Sequence, residues 1–280
     1  MKVAALKETF PGERRVALVP LSVPALVKAG AEVLIETSAG QSAGFPDAQY
    51  AEKGAQIVPR HEALAADCLL TVRALGANPS GWKVDLAAMH PGQAIVGLCD
   101  PLGTPQPILE AAEMGLAVFS LELVPRISRA QSMDVLSSQA TIAGYRAVLL
   151  AATTLGKMFP MLTTAAGTIT PAKVFIVGAG VAGLQAIASA RRMGAVVSAY
   201  DVRAAVKEQV QSLGGKFVEM PLEAGGSEAK GGYAKAMDEE FYRRQREMMT
   251  RIVAESDVVI TTAAIPGKKA PTLVTADMVA

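Results

Sequence analysis

Histidine and cysteine are scarce in this chain: two of each in 280 residues, beside a single tryptophan. His61, His90, Cys68 and Cys99 are scattered without ligand spacing, which speaks against a metal site. Two isolated thiols make no disulfide framework and suit a reducing compartment. Aromatic residues are 5%, too few for a base-stacking platform. Lys plus Arg (27) nearly balances Asp plus Glu (26), and no basic stripe stands out, so nucleic acid is not expected as a partner. No charged stretch followed by an apolar run opens the sequence, so a secretory leader is not expected. One uncharged run, 174–190, nears membrane-spanning length, but Gly178, Gly180 and Gly183 interrupt it.

What is abundant is apolar: 51% of residues are hydrophobic and 19% charged, a composition that folds. The length allows one large or two ordinary domains. Short apolar runs at 2–6, 32–36, 68–72, 94–98 and 116–121 read as buried strands. Ser22 is placed to cap a helix that has Pro24 in its first turn and Gly30 just past its end. Strands alternating with helices imply βαβ crossovers and a parallel sheet. The second half repeats the alternation, so two α/β layers are expected. The pattern divides the chain into an N-terminal domain (1–136), a linking helix (137–165) and a second domain (166–280). Within the link, 137–158 reads as one long helix. Ile142, Tyr145, Leu149 and Ala152 fall near one face, which is expected to be buried between the domains. Pro160, Gly167 and Pro171 mark a loop before the second sheet.

The strand at 173–177, ending in Val177, runs straight into Gly178, Ala179, Gly180, Val181, Ala182 and Gly183, and then into a helical stretch. A glycine fingerprint is weak alone and informative between a strand and a helix. Gly178 would permit the tight turn, Gly180 the approach of backbone to a pyrophosphate, and Gly183 close packing of helix on strand. The next strand ends in Asp201, about twenty residues on, where an acid accepts the ribose hydroxyls of NAD. That carboxylate favours NAD(H) over NADP(H), although Arg203 close by is a residue that can accommodate a 2′-phosphate. The fold class is thus two Rossmann-like domains with parallel sheets joined by a long buried helix, with the cofactor cleft between them. Two more strands, 216–219 and 257–262, leave this dinucleotide domain short at its C-terminal end, as expected of a fragment or an unusually short version of the type.

Between Val124 and the long helix, arginines, an amide and a carboxylate gather at the expected domain junction: Arg126, Ile127, Ser128, Arg129, Gln131, Ser132, Met133, Asp134 and Ser137, running on to Tyr145. This string, with the opening Lys7, Glu8, Glu13, Arg14 and Arg15, resembles the NAD(H)-binding subunit of the proton-translocating nicotinamide nucleotide transhydrogenase family, which is related to alanine dehydrogenase. The resemblance covers the whole chain. It implies that Arg126, Gln131, Asp134 and Ser137 line the nicotinamide side, with Gln131, Asp134 and Arg126 orienting the reacting ring. It implies that 126–129 and 131–134 contact the cofactor. Gly178, Ala179, Gly180 and Val181 would take the pyrophosphate, and Asp201, Val202 and Arg203 the ribose. A glycine-rich segment, 223–236, resembles a loop that closes over nucleotide, with Gly232 and Tyr233 in contact; Gln245 and Ala264 align as further contacts. The implied partners are an NADP(H)-binding domain, membrane-spanning proton-channel subunits and a second copy of the chain, on the cytoplasmic side of the membrane.

The alternative is an NAD-dependent oxidoreductase like alanine dehydrogenase. Amino-acid oxidation needs a proton carrier. By the resemblance, the lysine and histidine of that enzyme fall on Arg73 and Asp100 here. An arginine does not give up its proton near neutrality. His61 reads as solvent-facing and His90 as a turn residue. A module that binds NAD(H) without turnover is the third possibility.

Overall fold

The computed structural model describes residues 1–78, 80–219, 239–264 and 269–279, and the chain divides into two units, Met1–Asp134 and Val135–Ala280. The long helix groups with the second unit.

The first unit is a six-stranded sheet in the order β3-β2-β1-β4-β5-β6. Its strands are β1 (Lys2–Ala5), β2 (Glu32–Glu36), β3 (Gln56–Val58), β4 (Cys68–Arg73), β5 (Ala94–Leu98) and β6 (Ala117–Ser120), and every pairing is parallel. The connections carry α1 (Val23–Lys28), α2 (Asp47–Ala51), α3 (Arg60–Leu64), α4 (Trp82–Ala87) and α5 (Gln106–Glu113). Central β1 is buried on both faces. Ala4 and Leu34 point into one cluster with Leu64 and Leu69, while Ala5, Val33 and Ile35 join Val23 and Tyr50 in another. That is the period-2 consequence of covering a parallel sheet on both sides. Ser22 precedes α1 as expected but makes no side-chain cap, because it already has helical dihedrals at the end of a 3-10 turn. Gly30 does end the helix, at φ +86°.

The second unit begins with α6 (Val135–Thr154), followed by an antiparallel hairpin of β7 (Leu162–Thr164) and β8 (Gly167–Ile169), where the sequence suggested only a loop. Its sheet has the order β11-β10-β9-β12 and is parallel throughout, with β9 (Lys173–Val177), β10 (Val196–Tyr200), β11 (Lys216–Phe217) and β12 (Val258–Thr261). The helices are α7 (Val181–Arg192), α8 (Lys207–Ser212), α9 (Glu239–Ala254) and α10 (Ala276–Val279). Along β9, Val174 and Ile176 face Ala186, Ile187 and Val210; Phe175 and Val177 face Met249 and Val253. Each such fully buried side chain contributes about 2 kcal/mol of apolar transfer energy.

The expected buried face of α6 is corrected in half: Ile142 and Tyr145 are exposed, while Leu149 and Ala152 are partly buried. The fully buried residues are Gly144 and Val148, with Ala147 and Ala151 partly buried beside them. The helix is apolar around much of its circumference, so periodicity carries little information about which side packs. Packing is instead set by Gly144: a Cβ there would collide with the Ala182 carbonyl oxygen, so α6 lies against the first turn of α7 backbone to backbone. Residues 174–190 resolve into a strand, a turn and a helix. Among the described residues no helix is long and apolar enough to cross a membrane. The segment 220–238, with Gly232 and Tyr233, lies outside the described residues.

Candidate nucleotide site

The turn between β9 and α7 is built around three glycines with different constraints. Gly178 has φ +98°, a conformation that costs any residue with a Cβ, and its amide donates to the Tyr200 carbonyl at 2.8 Å. From the other side, Thr262 pins the turn: its amide donates to the Val177 carbonyl and its hydroxyl to the Gly178 carbonyl, each at 2.8 Å. A Cβ on Gly183 would drive into that same Gly178 carbonyl oxygen, so helix and strand pack at contact. Gly180 is different. It has ordinary dihedrals (φ −78°), and among the described residues a Cβ there meets only the Arg203 Nη2 at 3.9 Å. No described atom forbids a side chain at 180, so its small size leaves open space beside the turn. No side chain caps α7, so its first-turn amides are left for an anion.

Asp201 follows β10 and is buried. Its Oδ2 accepts from the Ala179 amide at 2.7 Å and from Arg203 Nη2 at 2.8 Å. Its Oδ1 accepts from the Arg203 amide at 2.8 Å and Arg203 Nε at 2.9 Å. Burial pushes this carboxyl upward, but the Arg203 guanidinium and the two backbone amides outweigh it and hold it below the ordinary range. Val202 is half-buried and packs against the cluster that contains Phe175, Tyr200 and Met249. Gln245 is 1% exposed and donates to the Tyr200 hydroxyl at 3.0 Å, so it braces the strand end from within the core. Ala264 is exposed just beyond β12.

The polar string of the first unit forms a 3-10 segment, Ser128–Met133, anchored by buried Ala130. Its ends are tied by an Arg126–Asp134 ion pair at 3.7 Å, while Ile127, Ser128, Arg129, Gln131, Ser132 and Met133 are exposed. Ser137 is half-buried in the opening turn of α6. The string and the glycine turn belong to different units, and each has its own local order.

Arg73 and Asp100, which align with the proton carriers of a dehydrogenase centre, are engaged otherwise, as is Arg15. Arg73 stacks on the Phe10 ring at 3.8 Å. Arg15 is forked onto Glu13, whose carboxyl it draws down to about 2. Asp100 accepts from the Thr104 hydroxyl at 3.0 Å, and His90 is exposed on a turn. Among the described residues no cluster of His, Cys, Asp and Glu is arranged to hold a metal. Sequence reasoning missed Thr262 and Tyr200, the two residues that lock the turn from its flanks. The signal available was position: each stands at or beside the carboxyl end of a strand neighbouring β9, where open α/β sheets place ligands.

A parallel sheet ordered 3-2-1-4, a glycine turn on an uncapped helix and an acid at the next strand end define a dinucleotide-binding α/β protein. The patterns described as "Alanine dehydrogenase/PNT, N-terminal domain" and "Alanine dehydrogenase/PNT, C-terminal domain" match residues 4–143 and 147–280, and the chain belongs to that family. It is 47% identical to an NAD(P) transhydrogenase subunit alpha polypeptide of Rhodospirillum rubrum, over 100% of this chain and 73% of that one. The structure of transhydrogenase from Sinorhizobium meliloti superposes with a TM-score of 0.87 at 44% identity, over 100% of this chain and 74% of that chain. An L-alanine dehydrogenase structure follows at TM-score 0.76 and 26% identity, over 100% and 70%.

Proposed function

We propose that this chain is the NAD(H)-binding component of a proton-translocating NAD(P) transhydrogenase. The observation that carries the reading is the open space at Gly180 beside uncapped amides, which fits a pyrophosphate, on a chain whose proton-carrier positions hold Arg73 and Asp100 in other bonds. NADH, when bound, supplies a hydride that passes directly to NADP held by a partner domain, and no proton moves in that step. The protein is therefore asked to position and to exclude water, with reacting carbons brought to about 3–3.5 Å. Gly178, Ala179, Gly180 and Val181 cradle the pyrophosphate. Asp201, Val202 and Arg203 set the adenosine end, with Gln245 acting through Tyr200. Arg126, Gln131 and Asp134 orient the carboxamide and ribose of the nicotinamide, supported by Ser137 and the 127–133 backbone; Gly232, Tyr233 and Ala264 complete the contacts. The partners are the NADP(H)-binding domain and the membrane-spanning proton channel, the chain works as a homodimer, and it sits on the cytoplasmic side of the membrane.

The deciding experiment mixes the purified chain with a separately made NADP(H)-binding domain. Transfer from NADPH to an NAD analogue is expected only in the mixture, and NAD with L-alanine is expected to yield no NADH. Pyruvate formation by the isolated chain would overturn the reading. Gln131→Asn is expected to slow hydride transfer in the mixture far more than it weakens NADH binding; equal losses would leave Gln131 a binding residue only.

A further inference from the structure

A carboxylate has about four acceptor positions. Those of Asp201 are all taken: two by the Ala179 and Arg203 backbone amides, and two by Nε and Nη2 of the Arg203 side chain. The backbone pair is fixed by the turn. The side-chain pair is not, and it delivers two parallel N–H donors, one to each carboxylate oxygen. A ribose 2′,3′-diol brings two O–H donors of the same kind. The guanidinium also lies over the glycine turn, its Nη2 being the nearest atom to a Cβ placed on Gly180.

We infer that the Arg203 side chain stands in for the adenosine ribose diol and is exchanged for it when coenzyme binds, which makes Arg203 the residue that sets the demand for a free 2′-hydroxyl. This rests on the NAD(H) reading above. A diol replaces the guanidinium donor for donor, and Asp201 stays satisfied. A 2′-phosphate has no donor to give. It can only draw the guanidinium away as its own counter-ion, leaving a buried carboxylate short of partners beside a dianion. An arginine free to swing would serve a 2′-phosphate; one already forked onto Asp201 does not. The fork thus resolves the ambiguity that an acid and an arginine two residues apart leave in the sequence.

Two measurements test it. Titrating NADH into Arg203→Met, checked for folding by its melting curve, is expected to give binding about 5-fold tighter than wild type, since no charge-assisted pair has to be broken. NADPH is expected to bind R203M more weakly than wild type, because the exposed carboxylate then meets the phosphate without a counter-ion. The wild-type protein supplies the second readout, which needs no variant: the Arg203 Nε–H signal in an arginine-labelled NMR spectrum. It should shift at saturation with ADP-ribose and stay in place with 2′-deoxy-ADP-ribose bound. Equal or weaker NADH binding by folded R203M, or an Nε–H signal unmoved by saturating ADP-ribose, overturns the exchange. Failure of wild type to bind NADH at all would instead remove the NAD(H) reading itself.

Discussion

The two units carry the same opening topology, 3-2-1-4 in each sheet, and use it in opposite ways. In the second, the chain leaving β9 turns on glycines, and among the described residues a notch beside α7 is left open. In the first, the chain leaving β1 fills the equivalent crevice with side chains. Glu8 reaches across to accept from the Val72 and Arg73 amides at 2.6 and 3.1 Å, and Phe10 lies under the Arg73 guanidinium. The carboxylates differ accordingly. Burial pushes Glu8 up despite its two amides, whereas the Arg203 fork keeps Asp201 down. Strand order supplies a crevice at the switch point; the residues of the first turn decide whether a ligand or the protein occupies it.

The sharpest way to break this comparison is Gly183→Ala. Overpacking against the Gly178 carbonyl is expected to cost about 3 kcal/mol in urea unfolding and to abolish NADH binding. Gly180→Ala separates the two effects. A Cβ there meets no described protein atom closer than 3.9 Å, so the melting temperature should hold while NADH affinity falls about 100-fold. Thr262→Val, which removes the hydroxyl from the Gly178 carbonyl, is expected to cost about 1 kcal/mol and to loosen binding modestly. The smallest effects are in pH. Asp201 is depressed in the fold, so its contribution is present above the ordinary carboxylate value and lost as pH falls through the folded one. Glu8 is raised, so its contribution is present below the ordinary value and lost as pH rises through the folded one. Urea midpoints against pH should show Asp201→Asn flattening the acid limb and Glu8→Gln the limb above it, with NADH affinity untouched by Glu8→Gln.

The glycine turn was legible in the sequence because two of its three glycines answer requirements that no other residue meets: positive φ at 178 and contact packing at 183. Strands β2 and β5 were legible to the residue because their runs are continuous, with consecutive residues buried along β2 and alternate ones along β5. Three-residue β3 at the sheet edge was not, since Gln56, Ile57 and Val58 make too short a run to stand out. The packed side of α6 was hidden because its centre is Gly144, which has no side chain to register in an apolar pattern. Asp201 was found by position, but that its acceptors are spent depends on where the Arg203 side chain folds back, a tertiary fact. Gln245 aligned as a contact, and its burial with its amide on the Tyr200 hydroxyl was not legible, since a polar residue on an otherwise apolar helix face reads the same in either role.

The contact between Gly144 and Ala182 gives α6 a second role besides filling space. Helices seated backbone on backbone have no compliant side chains between them to absorb a displacement, and close-packed interiors transmit strain. The seat of α6 therefore fixes where the first turn of α7 can lie, and a side chain added at 144 would shift the amides proposed for the coenzyme's phosphates without touching the glycine turn itself.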